Sequence, residues 1–236
     1  MLFNMRGHMA IEFPKIGTSV LDIPDEFLKG KVIHRHNRFM VEVGLGDEIV
    51  MAHLHDPGRL NELIFPGNSV KLRKIQGKKT NYSIVSARSS EEDVLLDTRF
   101  HSSIAKVFLK GPIRQEVTIS NSRFDFVCDG MIIEIKGASL MKDGILKFPD
   151  AVTERGRKHV SELLKLHQEG NKVAVIFLCF SRHARAFSPN FDTDPKFAET
   201  FVDAYNNGVN FFFPKLGLDN HSLRYYGLIT QIILGN

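Results

Sequence analysis

Cysteine is nearly missing from this 236-residue chain, membrane-length apolar runs are missing altogether, and no low-complexity tract or internal repeat is present. Each absence removes a class of protein. Two cysteines, Cys128 and Cys179, both in apolar strand-like runs, are too few for a disulfide framework and suit reduced, buried thiols in a cytoplasmic protein. No segment reaches the roughly 18 apolar residues of a membrane span, so no membrane partner is expected. The opening MLFNMRGHMA has no apolar h-region and carries Arg6 and His8; residues 1–13 are therefore expected to be an untargeted leader, with Met5 or Met9 as alternative starts. At 43% apolar and 25% charged residues, the chain has enough apolar side chains to fill a core, which excludes intrinsic disorder.

Two grammars divide what remains. From residue 14 to 88 short alternating segments (FMVEV, EIVMAHL, SVKLRK, YSIVSA) are cut by turn residues (GLGD, DPG, FPGN, QGKKTN), the pattern of a small all-β barrel. From 89 to 236 the pattern predicts a mixed α/β domain. RFHSSIAKVFLKG reads as a helix, followed by strands near 113–119 and 123–136. PDAVTERGRKHVSELLKLHQEG reads as a helix with Asp150 as N-cap and Gly170 as its stop. KVAVIFLCF is a near-continuous apolar run, as in a strand covered on both faces; a second helix near 195–207 and the strand VNFFF follow. This order predicts right-handed crossovers and a partly parallel sheet.

A net charge of +4 favours an anionic partner, and its placement says more than its size. The clusters KVIHRHNR (31–38) and KLRKIQGKK (71–79) lie in the first third of the chain. Arg38, Lys71, Arg73, Lys74, Lys78 and Lys79, with Arg59 of the DPGRL turn, are candidates to meet the phosphates of DNA or RNA; the alternative is a solvated surface. His53-x-His55-Asp56 places two imidazoles on one face, without the further Cys or His pair that a zinc site would need.

The stretch SRFDFVCDGMIIEIKG (122–137) is the most informative. Asp129-Gly130 is a two-residue hairpin turn, and it sets Cys128 opposite Met131, Val127 opposite Ile132, Phe126 opposite Ile133 and Asp125 opposite Glu134. Phe124, Phe126, Ile133 and Ile135 are then expected on one face, and Arg123, Asp125, Glu134 and Lys136 on the other. Opposed carboxylates repel, and a divalent cation, Mg²⁺ or Mn²⁺, would offset that. Lys136 could stabilise charge on a phosphoryl transition state or help to activate water. The alternative is a solvated strand face in which Lys136 and Arg123 neutralise the acids. On the following helix Arg155 and His159, four residues apart, are candidates to face these acids or simply to form a surface pair.

Asp125 followed by Glu134-Ile135-Lys136 resembles the core motif of the PD-(D/E)XK nuclease superfamily. LHDPGRLNELIFPGNSVKL (54–72), SRFDFV, EIKG, FPDAVTERGRKHVSEL (148–163) and FSPNFDTDPKFA (187–198) are more narrowly similar to the sugar fermentation stimulation protein A family, over most of the chain. That resemblance implies an N-terminal OB-like barrel, a C-terminal restriction-endonuclease-like α/β domain and DNA binding. By the same resemblance Asp125, Glu134 and the Ile135 carbonyl would hold the metal and Lys136 would serve the water. Nucleases of that superfamily often carry a further acid on the helix before the hairpin. Residues 99–110 contain none, leaving Asp97 or Glu116 as substitutes. Two functions follow as expectations: a metal-dependent nuclease, or a non-catalytic DNA-binding regulator that keeps the nuclease fold as a scaffold.

Overall fold

The computed structural model describes residues 10–24, 26–77 and 80–235. After β1 (Ser19–Asp22), five strands form the barrel: β2 (Leu28–Arg35), β3 (Met40–Leu45), β4 (Glu48–His53), β5 (Ser69–Lys74) and β6 (Tyr82–Arg88), with β7 (Asp93–Leu95) added to β6. β2 pairs with both β3 and β5, and the parallel β4–β6 contact closes the ring, which is the OB order.

The second domain begins with a 3-10 turn (Thr98–Phe100) and α1 (His101–Val107). It continues with β8 (Ile113–Ile119), β9 (Ser122–Cys128), β10 (Met131–Ala138), β11 (Leu140–Lys142), β12 (Ile145–Phe148), α2 (Glu154–Gln168), β13 (Val173–Cys179), β14 (Ala186–Pro189) and α3 (Pro195–Asn206). β15 (Asn210–Phe212), β16 (Pro214–Asp219), β17 (Ser222–Leu228) and β18 (Gln231–Ile232) complete it. The large sheet runs β1-β17-β16-β13-β10-β9-β8, with β15 also on β13, and a small sheet runs β11-β12-β14-β18. β10, β13 and β15 are mutually parallel, as the strand-helix-strand order predicts.

The run VAVIFLC is apolar throughout because β13 is buried on both faces. Val173, Val175, Phe177 and Cys179 pack with α2 and α3, while Ala174, Ile176 and Leu178 join a core continuous with the barrel. The barrel thus sits on one face of the large sheet, with α1, and α2 and α3 cover the other. Both cysteines are buried free thiols.

Two local expectations change. Ser19–Asp22 pairs with β17 in the large sheet, not with barrel strands, and Ala10 and Ile11 are buried against Leu109 and Lys110, so the second domain also uses chain from before the barrel. Residues 1–9 of the expected leader lie outside the described residues. The N-cap of α2 is Thr153, whose hydroxyl accepts from Gly156 N at 3.1 Å, because Asp150 is engaged elsewhere. Near the end of the chain, Ser222–Leu228 is the antiparallel strand between β1 and β16, and Gln231–Ile232 joins the small sheet beside β14.

Candidate active site

The Asp129-Gly130 turn takes φ values of 46° and 77°, which suit a tight hairpin, and the three expected pairs nearest to it form. Beyond Phe126–Ile133 the ladder opens. Asp125 does not pair through its backbone with Glu134; its carboxylate accepts the Ile135 N–H at 2.7 Å. On the other side Glu116 takes φ 54°, and the β8–β9 register passes from Gln115–Phe126 to Val117–Phe124 without a Glu116–Asp125 pair. The faces change there. Phe126, Ile133 and Ile135 face the barrel-side core, but Phe124 joins the helix side and packs on His159 at 5.6 Å. A buried carboxylate competing for a backbone donor explains the departure from the regular hairpin.

Glu134 is 3% exposed and sits on the helix side. One oxygen, Oε1, accepts from Lys136 Nζ and lies 2.6 Å from His159 Nδ1; the other, Oε2, is buried without a hydrogen-bond partner among the described residues. Burial pushes the Glu134 carboxyl up, but Lys136 and His159 outweigh it and hold the group below its ordinary range. Asp125 goes the other way. Burial first and repulsion from Glu134 second raise it to about 6, against the pull of the Ile135 N–H and Lys136. The pair therefore consists of one carboxylate held ionised and one held close to protonation.

Such a pair suits a hard divalent cation. Among the described residues no group of three or more His, Cys, Asp or Glu side chains forms a metal cage. An ion here would rest on Asp125, Glu134, the Ile135 carbonyl and waters, a ligand set Mg²⁺ ordinarily takes. The orphaned Glu134 Oε2 and the charge repulsion felt by Asp125 are what such an ion would relieve.

The other expected residues are distributed as follows. Arg155 is exposed on the first turn of α2, with no hydrogen-bond or ion-pair partner among the described residues. Glu116 is half exposed and paired with Arg123 at 2.7 Å. Asp97 is fully buried and its oxygens are taken by Arg99, at 2.8 and 2.6 Å, with Arg73 at 3.8 Å, so it caps the 3-10 turn instead of offering a free ligand. Lys71 pairs with Asp93 at 2.8 Å, and Arg73 also covers the Phe100 ring. Lys74 is exposed, and Lys78 and Lys79 lie outside the described residues.

Arg38 and Arg59 line the same wall of a feature that no sequence spacing reveals. A cleft of about 610 Å³ runs between the barrel and the second domain, walled by Arg35, Arg38 and Asp56–Arg59 on one side and Gly137–Leu140 and Lys147–Thr153 on the other. Its walls stop at Gly137, one residue past Lys136, at the carboxyl end of β10, where ligands of parallel sheets bind. Arg35 braces the barrel wall, donating to the carbonyls of Arg38 (3.1 Å), Gly58 (2.7 Å) and Arg59. Asp150 reaches across to accept from Leu60 N at 3.2 Å. The DPGRL and FPDAVTERG segments, ninety residues apart in sequence, are thus the two sides of one joint.

Comparison with known proteins places this arrangement. Residues 33–96 match the SfsA N-terminal OB domain and residues 93–222 the sugar fermentation stimulation protein RE domain. The sugar fermentation stimulation protein homologue of Thermoplasma volcanium is 45% identical over 202 residues, 86% of this chain and 93% of the relative. That of Saccharolobus solfataricus is 41% identical over 213 residues, 90% and 89% of the two chains. The solved structure of Pyrococcus furiosus SfsA in complex with Ca²⁺ superposes with a TM-score of 0.83 at 25% identity, covering 92% of this chain and 99% of that one. With an OB barrel, a restriction-endonuclease-like sheet and relatives of this similarity along most of its length, the chain belongs to the sugar fermentation stimulation protein family.

Proposed function

We propose that this protein binds nucleic acid and hydrolyses its phosphodiester bonds with Mg²⁺ or Mn²⁺ at Asp125 and Glu134. The observation that carries the reading is the half-satisfied Glu134: one oxygen fixed by Lys136 and His159, the other buried and unpaired beside a carboxyl raised to about 6. A stable fold gains nothing from leaving a buried acceptor unpaired. The Pyrococcus relative was solved in complex with Ca²⁺, another hard divalent ion, which supports a divalent-cation reading for this chain.

When bound, the metal would supply Lewis acidity to the phosphodiester and ease deprotonation of water. The chain's own residues do the rest. Asp125, Glu134 and the Ile135 carbonyl would hold the ion, and the Asp125 bond to Ile135 N fixes the distance between the two acid-bearing strands. His159, buried on α2, orients Glu134 so that Oε2 is the oxygen left free. Lys136, whose side chain is 14% exposed, would stabilise charge that develops on phosphate oxygens.

The test is cleavage of labelled single- and double-stranded DNA and RNA in Mg²⁺, Mn²⁺ and EDTA. Wild type is expected to cleave only with divalent ion, and Lys136→Ala to lose about three orders of magnitude in rate while keeping substrate affinity. Cleavage persisting in both Lys136→Ala and Asp125→Ala, or no cleavage by wild type on any substrate, contradicts the reading.

A further inference from the structure

Phe39 is a large side chain that neither the core nor the candidate active site uses. It is 45% exposed at the end of the turn between β2 and β3, and its ring lies parallel to that of His53 in β4, 11° between planes and 6.1 Å between centroids. His53 meets His55 edge to face at 4.3 Å. A single exposed aromatic is ordinary; one held rigid with a free face beside unpaired cations is not.

The rigidity is visible in the backbone. Phe39 N donates to Asn37 Oδ1 at 2.9 Å, and its carbonyl accepts from Leu54 N at 2.9 Å. Arg35 ties the same turn, through the Asn37 and Arg38 carbonyls, to the Gly58-Arg59 loop. The next residue back, Arg38, and Arg59 are exposed with no side-chain partner among the described residues, and both line the interdomain cleft, with Lys147 on the opposite wall. OB barrels that bind oligonucleotides use the face of their second and third strands and the first loop. In this barrel those are β3, β4 and residues 36–39.

Resting on the nucleic-acid reading above, we propose that Phe39, backed by His53, is a stacking platform for an unpaired base of a single-stranded nucleic acid whose phosphates run past Arg38 and Arg59 into the cleft that ends beside Lys136. Bases inside a duplex offer no free face to such a ring, while every unpaired base does. Phe39 therefore makes the protein select single strands or frayed ends, without reading their sequence.

The chain has no tryptophan, so Phe39→Trp would carry a single indole reporter. In EDTA, where no turnover occurs, its fluorescence is expected to be quenched saturably by 12-nucleotide single-stranded DNA or RNA and left unchanged by a blunt duplex. In parallel, anisotropy of the labelled oligonucleotides should show Phe39→Ala weakening single-strand binding about tenfold, Phe39→Tyr restoring it, and duplex binding unaffected by either. The DNA and RNA arms identify the sugar. Wild-type affinity in Phe39→Ala, an equal loss for duplex and single strand, or an unquenched indole at saturating oligonucleotide would each overturn the platform and leave the nuclease reading standing. Absence of wild-type binding to every nucleic acid would overturn both.

Discussion

Among the described residues the pair Asp125 and Glu134 and the pair Asp56 and Asp150, the latter with Glu62 near it, have been resolved in different ways. Asp125 with Glu134 and Asp56 with Asp150 each contain one acid raised to about 6, in both cases chiefly by burial and further by a neighbouring acid. In the second pair, backbone donors meet the charge: Gly58 N bonds Asp56 Oδ1 at 2.8 Å and Leu60 N bonds Asp150 Oδ2, with Arg35 nearby. In the first pair a single backbone donor serves Asp125, a lysine and a histidine crowd one oxygen of Glu134, and the other oxygen has no hydrogen-bond partner among the described residues. Burying acids together is therefore not the mark of a site in this chain. The mark is an acceptor left unsatisfied next to a positioned cation: Asp56 and Asp150 are satisfied across a joint between domains, and the buried Glu62 Oε1 near them, also unpaired among the described residues, has the negative Asp150 as its charged neighbour instead of a cation.

The largest effect that separates the two should come at the joint. A Cβ on Gly58 would stand 2.3 Å from Asp150 Oδ2, so Gly58→Ala has to expel that carboxylate and its bond to Leu60. Thermal or urea unfolding should show a loss of about 3 kcal/mol, at the upper end of overpacking costs. Adding Asp150→Ala should recover part of it, and response to divalent ion should be unchanged. Full additivity of the two substitutions would break the joint.

A smaller effect should come at the site. Because the folded Asp125 carboxyl is raised above its unfolded value, the native state holds the proton longer. Its contribution favours folding below about pH 4 and is lost as pH rises through about 6. In metal-free buffer Asp125→Asn should therefore be more stable than wild type at pH 7, by about 1–2 kcal/mol, and this gain should vanish near pH 4. Asp56 titrates over the same window in both proteins and cancels in the difference. A destabilised Asn variant at pH 7 would mean that Asp125 is a structural ion-pair partner.

The smallest effect concerns the cleft. Replacing Arg38 and Arg59 by Ala should reduce the slope of log affinity against log salt by about 2, one per lost phosphate contact. The same double replacement at Lys71 and Arg73, whose charges face Asp93 and Asp97, should change it less. The reverse order would move the binding surface to β5.

How much of this was legible in the sequence depends on the range of the interaction. The OB grammar, the buried β13 and the turn at Asp129-Gly130 are local patterns, and the three hairpin pairs next to that turn follow from it. The flip of Phe124 to the helix side was not legible, because period-two reasoning assumes that the backbone keeps its own hydrogen bonds, and Asp125 takes one of them. Asp150 looked like an N-cap because a helix start offers unpaired donors. Its actual donor, Leu60 N, lies 90 residues away, and Thr153 was close enough to cap instead. Arg155 and His159 were equivalent by spacing, and only packing against Phe124 and Glu134 told them apart.

The measurement that bears most directly on the contrast is Mn²⁺ titration of the melting temperature in wild type, Asp125→Asn and Asp56→Asn at pH 7. A cation held by Asp125 and Glu134 should raise the midpoint saturably in wild type and in Asp56→Asn, and should lose that effect in Asp125→Asn. No rise in wild type at millimolar ion, or a rise abolished by Asp56→Asn and kept by Asp125→Asn, would contradict the assignment of the site.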